Sequence, residues 1–293
     1  MKKLVLMFLL TPCVVMAQND LLGELEKDSK KETEYAFATF KGTRLGNGHT
    51  VETKPAGTLE FIFGHRFGAI NGGSYEMFGL DQAYVRLGLD YGITDHLSAS
   101  IGRNSTDKTM DGYLKYKLLR QSSGVKNFPV SVTVLGGAAY KLSPKDNKEV
   151  APDFENVDRL AYTGQLLIAR KFSPNFSFQL MPTLVHKNYV TQSIESNDQF
   201  AVGFGGRIKL TRSIALTGEY YYNVSRVSGS PYYDAMSLGI DIETGGHVFQ
   251  LLLTNAIGLT ERAFITETRD NFFDGDIHLG FNVTRAFQLK KNK

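Results

Sequence analysis

The 293-residue chain contains no tryptophan, one cysteine and only eight prolines. The single thiol, Cys13, excludes a disulfide framework and any Cys-rich zinc or iron–sulfur centre. Beyond residue 17 no stretch approaches the roughly 18 consecutive apolar residues that a membrane-crossing helix needs. A surplus of one charge is also lacking. Thirty-three Lys and Arg face 30 Asp and Glu, and the net charge of +3 is too small for a nucleic-acid binder. The six histidines (His49, His65, His96, His186, His247 and His278) form neither HExxH nor another close metal pair. No G-x-S-x-G elbow and no phosphate-binding glycine loop occurs. The Gly203-Phe204-Gly205-Gly206 cluster lies inside a strand pattern, where it permits close packing or curvature. The sequence therefore assigns no catalytic residue, no metal ligand and no cofactor, and the chain is not read as an enzyme.

What is present is glycine (29), phenylalanine (20) and tyrosine (14), a composition for many strands and tight turns. Lys2 and Lys3 precede an apolar run over residues 4–10, resumed at 14–17, with Val15-Met16-Ala17 at the cleavage positions. This reads as an export signal over residues 1–17. Pro12 breaks the run and, standing before Cys13, argues against lipid attachment there. Residues 18–56 form an N-terminal arm. Its first part, residues 20–33, is charged, with Leu21, Leu22 and Leu25 as a short apolar stripe for a helix or flexible arm. Its later part, from Lys41 through Arg44 and His49 to Thr50, is too polar to face lipid. A partial plug entering a lumen is expected, with Arg44 or Lys41 pairing to acids such as Glu60 or Asp90.

From residue 57 to 293 the period is two. Strands are predicted at 57–67, 81–92, 96–105, 109–121, 128–141, 158–171, 175–188, 198–211, 213–226, 234–243, 246–255 and 275–287. Most exceed the usual strand length of about 5–6 residues and suffice to cross a bilayer at a tilt. Short connections near Asp95, Pro174, Arg212 and Gly245 alternate with longer ones such as 142–157 and 256–274. Short turns at one end and long loops at the other are the outer-membrane pattern. The expected fold is all-β: an antiparallel transmembrane β-barrel of about 12 strands with a short N-terminal periplasmic arm.

Alternation places Glu60, Arg86, Asp90, Lys115, Lys117, Arg207, Lys209, Glu219 and Asp241 opposite the apolar face, as a lumen lining. A soluble β-sandwich would instead make that face its solvent side. Tyr91, Phe128, Tyr140, Phe172, Phe176 and Phe287 sit near strand ends, as interfacial girdles require. His65, Arg66, Asp81 and Asp111 fall near the outer ends of neighbouring strands, a candidate rim site for an anionic headgroup or solute. A Ser–His or Asp–His pair in that region, involving Ser105 or Asp107, is the enzymatic alternative.

Several clusters carry a resemblance. They are Phe40-Lys41-Gly42-Thr43-Arg44, Gly64-His65-Arg66-Phe67-Gly68, Gly79-Leu80-Asp81-Gln82, Asp90-Tyr91-Gly92-Ile93-Thr94-Asp95 and Asp111-Gly112-Tyr113-Leu114-Lys115-Tyr116. Thr260-Glu261-Arg262 and Gly280-Phe281-Asn282-Val283-Thr284-Arg285 complete the set. Together they resemble a family of bacterial outer-membrane β-barrels catalogued as a domain of unknown function. The resemblance spans about residues 40–287 and implies a barrel in the cell outer membrane, without implying an activity. The expected function is a small-solute pore or uptake component. The alternatives are a rim lipid or peptide hydrolase, or a scaffold barrel that holds periplasmic proteins through the arm. Outer-membrane lipid and small solutes are the expected partners, and nucleic acid is not.

Overall fold

The computed structural model describes residues 32–142, 154–190 and 194–290. The export signal and most of the charged arm lie outside the described residues. Twelve antiparallel strands close into one barrel. They are β1 (Thr58–Ala69), β2 (Ala83–Gly92), β3 (Leu97–Asn104), β4 (Met110–Leu119), β5 (Ser131–Tyr140) and β6 (Leu160–Lys171). There follow β7 (Phe176–Lys187), β8 (Asp198–Lys209), β9 (Ile214–Asn223), β10 (Ala235–Thr244), β11 (His247–Thr254) and β12 (His278–Gln288). Every strand pairs with its sequence neighbours, and β12 closes on β1 with Gln288 opposite Thr58 and Phe281 opposite His65. Closure removes every free edge, so all ladder amides are paired without water, as a bilayer demands.

The two faces invert the pattern of a soluble protein. Phe61, Leu89, Ile101, Leu114, Leu184, Phe204, Leu238 and Leu251 stand exposed on the outside, while Glu60, Arg86, Asp90, Lys115, Glu219 and Asp241 are buried within. A sandwich would bury the first set as its core. A lipid-facing barrel buries the second in its lumen.

Three of the four shortest turns share one device. Thr94, Ser173 and Thr211 each turn a hydroxyl oxygen back to accept from the second and third following amides. In each turn the hydroxyl residue and its predecessor both donate backbone N–H to the first residue of the next strand, Leu97, Phe176 or Ile214. The hydroxyl satisfies donors that a tight reversal strips from the ladder. The fourth turn is Gly245-Gly246, with Gly246 at φ +105°. One connection at this end is long. Ser122–Ser123 leave the barrel after β4 and pair with Glu34–Tyr35 of the incoming chain. At the other end the loops are longer, and the longest, residues 255–277, carries a helix, α1 (Glu261–Thr266).

Candidate functional site

The lumen is occupied by two segments of the chain itself. The first is residues 39–51. Gly42, Thr43, Gly46, Gly48 and Thr50 are too polar or too small to hold a lipid-facing position, and a closed wall of polar side chains receives them. Thr50 N–H donates to Thr43 O and Leu45 N–H to Gly48 O, at 3.0 and 2.9 Å, which folds the segment into a hairpin. Every residue from 42 to 51 is buried.

The hairpin tip, Leu45-Gly46-Asn47-Gly48, is bonded directly by wall residues from four strands, β1, β9, β11 and β12. Glu219 on β9 accepts from the amides of Asn47 and Gly48 and from the hydroxyl of Ser237 on β10. Arg66 on β1 donates to Asn47 Oδ1 at 2.8 Å and to Gly46 O, and its other Nη reaches Asn282 Oδ1 on β12. Asn282 Nδ2 and Gln250 Nε2 on β11 donate to Gly46 O and Leu45 O. Further down, Gln179 on β7 accepts from Val51 N–H and donates to His49 O. Lys115 on β4 donates to Glu52 O at 2.7 Å. Glycine at 48 is required by space, because a Cβ there would fall inside the Tyr221 hydroxyl. Beside Arg44 and Asn47 a cavity of about 20 Å³ remains, room for about one water.

The second occupant is helix α1, which turns inward from the outer end. Its Phe264 and Ile265 are fully buried and join Phe40, Leu45 and Val51 of the hairpin and Met181 and Tyr221 of the wall in an apolar cluster. Tyr221 meets Phe264 edge-on at 5.0 Å. The two occupants touch at Glu261, whose Oε1 lies 3.1 Å from Arg44 Nη1 and 3.0 Å from His49 Nε2. Burial, reinforced by the Arg44 charge, pushes the His49 imidazole down to about 3, so it is neutral. Burial alone would raise the Glu261 carboxyl. The Arg44 guanidinium, with the His49 imidazole Nε2 close by, outweighs it and holds the group well below the usual carboxylate range.

A clamp at the outer mouth fixes α1. Arg262 pairs with Asp107 at 3.0 Å and with Glu267 at 2.5 Å. Lys141 and Lys187 reach the same acids at 3.3 to 3.7 Å. Burial pushes the Glu267 carboxyl up, but Arg262, Lys141 and Lys187 prevail and hold it low. The clamp thus ties the longest outer loop to the ends of β5 and β7 and to the short loop after β3.

The sequence-derived residues divide accordingly. Glu60, Arg86, Asp90, Lys115, Arg207, Glu219 and Asp241 are buried inside the barrel. Lys117 is inside as well, bonded to Glu52, and Lys209 stands half-buried at the inner mouth. The rim group is not one site. Arg66 is buried in the lumen, whereas His65 faces outward and stacks on Phe281 with centroids 5.1 Å apart. Successive strand residues point to opposite faces, so the two cannot serve one ligand. Asp111 pairs with Arg86 inside, and Asp81 is exposed in the first outer loop. Ser105 accepts from Val85 N–H, and Asp107 belongs to the clamp. The hairpin's cations also find other partners than Glu60 and Asp90. Arg44 takes Glu261, and Lys41 takes Glu243 at 2.6 Å. Glu60 is already held by Lys54, and Asp90 by Tyr113. Helix α1 was not anticipated. Its signal is the apolar content of Ala256-Ile257-Gly258-Leu259 and Ala263-Phe264-Ile265 inside an otherwise charged loop.

Among the described residues no group of three or more His, Cys, Asp or Glu is arranged to hold a metal. Solved structures of similar shape are outer-membrane proteins. The KdgM porin aligns with a TM-score of 0.46 and 8% identity, over 78% of this chain and 99% of its own. An outer-membrane channel from Pseudomonas putida F1 aligns at 0.45 and 14%, over 81% and 98%. The Acinetobacter baumannii outer membrane protein Omp33 aligns at 0.42 and 8%, over 78% and 98%. No curated protein matches the sequence. A family model described as a membrane-bound β-barrel domain matches residues 40–287. With twelve antiparallel strands, an apolar outside and short turns at one end, the barrel is of the outer-membrane type. The chain belongs to the membrane-bound β-barrel domain family DUF5777 and resides in the outer membrane.

Proposed function

We propose that this barrel is a small-solute channel of the outer membrane, kept shut by its own N-terminal hairpin and helix α1. One observation carries the reading. The lumen is wide enough to hold two chain segments side by side, and its wall contacts them largely through charged and amide side chains. Such a wall is as well satisfied by water as by the hairpin. A barrel built only for rigidity would fill its interior with its own wall side chains, as barrels of about eight strands do. Displacing the two segments leaves a polar passage lined by Glu60, Arg66, Asp90, Lys115, Gln179, Glu219 and Asp241. Rim hydrolysis finds less support, because His65 stacks on Phe281 on the outer face while Asp107 is paired with Arg262 at the lumen mouth.

The test is conductance in planar bilayers. The intact barrel is expected to be quiet, with rare openings. A chain lacking residues 32–50, checked for folding by heat-modifiable gel mobility, is expected to conduct in discrete steps. A truncated barrel that folds and stays silent refutes the channel.

A further inference from the structure

At the inner mouth of the lumen Lys171, Arg207, Lys209 and Lys41 gather around one acid that pairs with two of them, Glu243. Ser177 on β7 stands opposite Lys171 of β6 on one side and opposite Arg207 of β8 on the other. Lys171 and Arg207 therefore flank one residue on the same inward row, their backbones about 10 Å apart at two inter-strand spacings. Lys209 is the next inward residue after Arg207. Side chains of this length converge across such a gap, and Lys41 of the hairpin shares Glu243 with Arg207.

The nearby acids leave Lys171 and Lys209 unpaired. Glu243 binds Lys41 at 2.6 Å and Arg207 at 2.8 Å, Glu52 binds Lys117, and Asp241 accepts from Gln250. The Lys171 ammonium donates only to the Phe37 carbonyl, which does not cancel its charge. The Lys209 ammonium has no ion pair or hydrogen bond among the described residues; only its backbone N–H donates, to Asn175 O. Arg207 is 5% exposed, and its buried Nε has no hydrogen-bond partner. Two unneutralised ammonium groups and an orphaned guanidinium N–H in one place repel each other unless an anion lies between them. Arg and Lys donors of this kind match the acceptor oxygens of phosphate or carboxylate.

We propose that Lys171, Arg207 and Lys209 form an oxyanion site at the periplasmic mouth, for a small phosphate- or carboxylate-bearing solute. The three side chains point into the lumen, and the outward neighbours at that level are Arg170 and Ile208. Bilayer headgroups therefore meet Arg170 and not the site. If the barrel conducts, the site gives its traffic a class, small anions. This physiological meaning rests on the channel reading, but the binding does not.

The experiment titrates inorganic phosphate into the full chain folded in phosphate-free, zwitterionic detergent at low salt, read by calorimetry. Saturable binding is expected, at least tenfold weaker in the Lys171→Gln/Lys209→Gln double variant. It should be kept in the Lys171→Arg/Lys209→Arg variant and unchanged in Arg170→Gln. All variants are compared only where heat-modifiable mobility shows a folded barrel. No binding by the native chain, undiminished binding by the glutamine variant, or an equal loss in Arg170→Gln overturns the site. Binding of a short-chain phosphatidic acid with none of inorganic phosphate overturns the solute assignment in favour of lipid. A barrel that binds phosphate but never conducts leaves the site standing and removes the channel.

Discussion

Replacing Glu219 with alanine isolates what holds the hairpin in place. The carboxylate accepts from two backbone amides at the tip, Asn47 and Gly48, as well as from Ser237. Both amides are buried, and in the Ala variant neither has another acceptor in reach. Hydrogen bonds to a charged group contribute about 1.5–3 kcal/mol each. A released hairpin recovers those bonds from water, so the loss falls wholly on the inserted state. Taking the low end for both amides gives about 3 kcal/mol, or roughly a hundredfold shift toward release. Glu219→Gln keeps the shape and one acceptor, and about half of that energy is the reasonable expectation. Release can be followed without assuming a channel. Trypsin cuts after Arg44 only when the hairpin is out, because Arg44 is 6% exposed in the inserted state. Cleavage should quicken in the order native, Gln, Ala, and opening frequency in bilayers should rise in parallel. Folded Ala barrels whose hairpin is cut no faster than the native one would refute the assigned clamp. Faster cutting without new openings would keep the clamp and remove the gate.

Acid should loosen the same hairpin. Inserted His49 titrates near 3, whereas a released one takes a proton near 6.5, so the inserted state loses stability as pH falls below 6.5. The loss between pH 6.5 and 5 is about 2 kcal/mol, and cleavage at Arg44 should accelerate over that window in the native chain but hardly at all in His49→Gln. Gly48→Val should expel the tip at every pH, since its side chain has no room beside Tyr221; a protected Arg44 in that variant would show the tip to be misplaced. Phe204, outward at the middle of β8, should cost about 2–4 kcal/mol as Phe204→Arg in urea unfolding from liposomes. Inward Arg207→Ala should cost less, because Glu243 keeps Lys41, and equal losses would contradict the assigned facing.

The barrel was legible because each strand repeats a local signal. Alternation in β8 and β9 needs only a few residues to declare itself, and the turns at Thr94, Ser173 and Thr211 carry their own hydroxyl acceptors. Facing follows from parity, which is why Glu60, Arg86, Asp90, Lys115 and Glu219 could be placed inside from the sequence. The same parity dissolves the rim group. Nearness in sequence suggested that His65 and Arg66 share a site, and the pleat sends one to lipid and the other to the lumen.

The partners inside the lumen obey no local rule. Arg44 meets Glu261 across 217 positions of sequence, and Arg66 meets Asn282 across 216. A charged residue in a lumen can be satisfied by any opposite charge the wall or an insert presents, so composition alone cannot choose among Glu60, Asp90, Glu243 and Glu261. What chooses is length. The hairpin must turn at Gly46-Asn47-Gly48, where only glycine fits beneath Tyr221 and the tip amides find Glu219. That fixed turn leaves Arg44 and His49 side by side, bridged as cross-strand partners, and only a descending loop can bring an acid to both. Helix α1 supplies Glu261 there. The hairpin's basic end and the helix's acidic start thus neutralise each other in the dry middle of the barrel. Removing one leaves the other as an unpaired buried charge, a penalty of several kcal/mol. The two inserts should therefore leave the lumen together or not at all. Glu261→Gln should speed cleavage at Arg44 and also expose α1 to proteolysis, whereas an effect confined to one segment would show that they move independently.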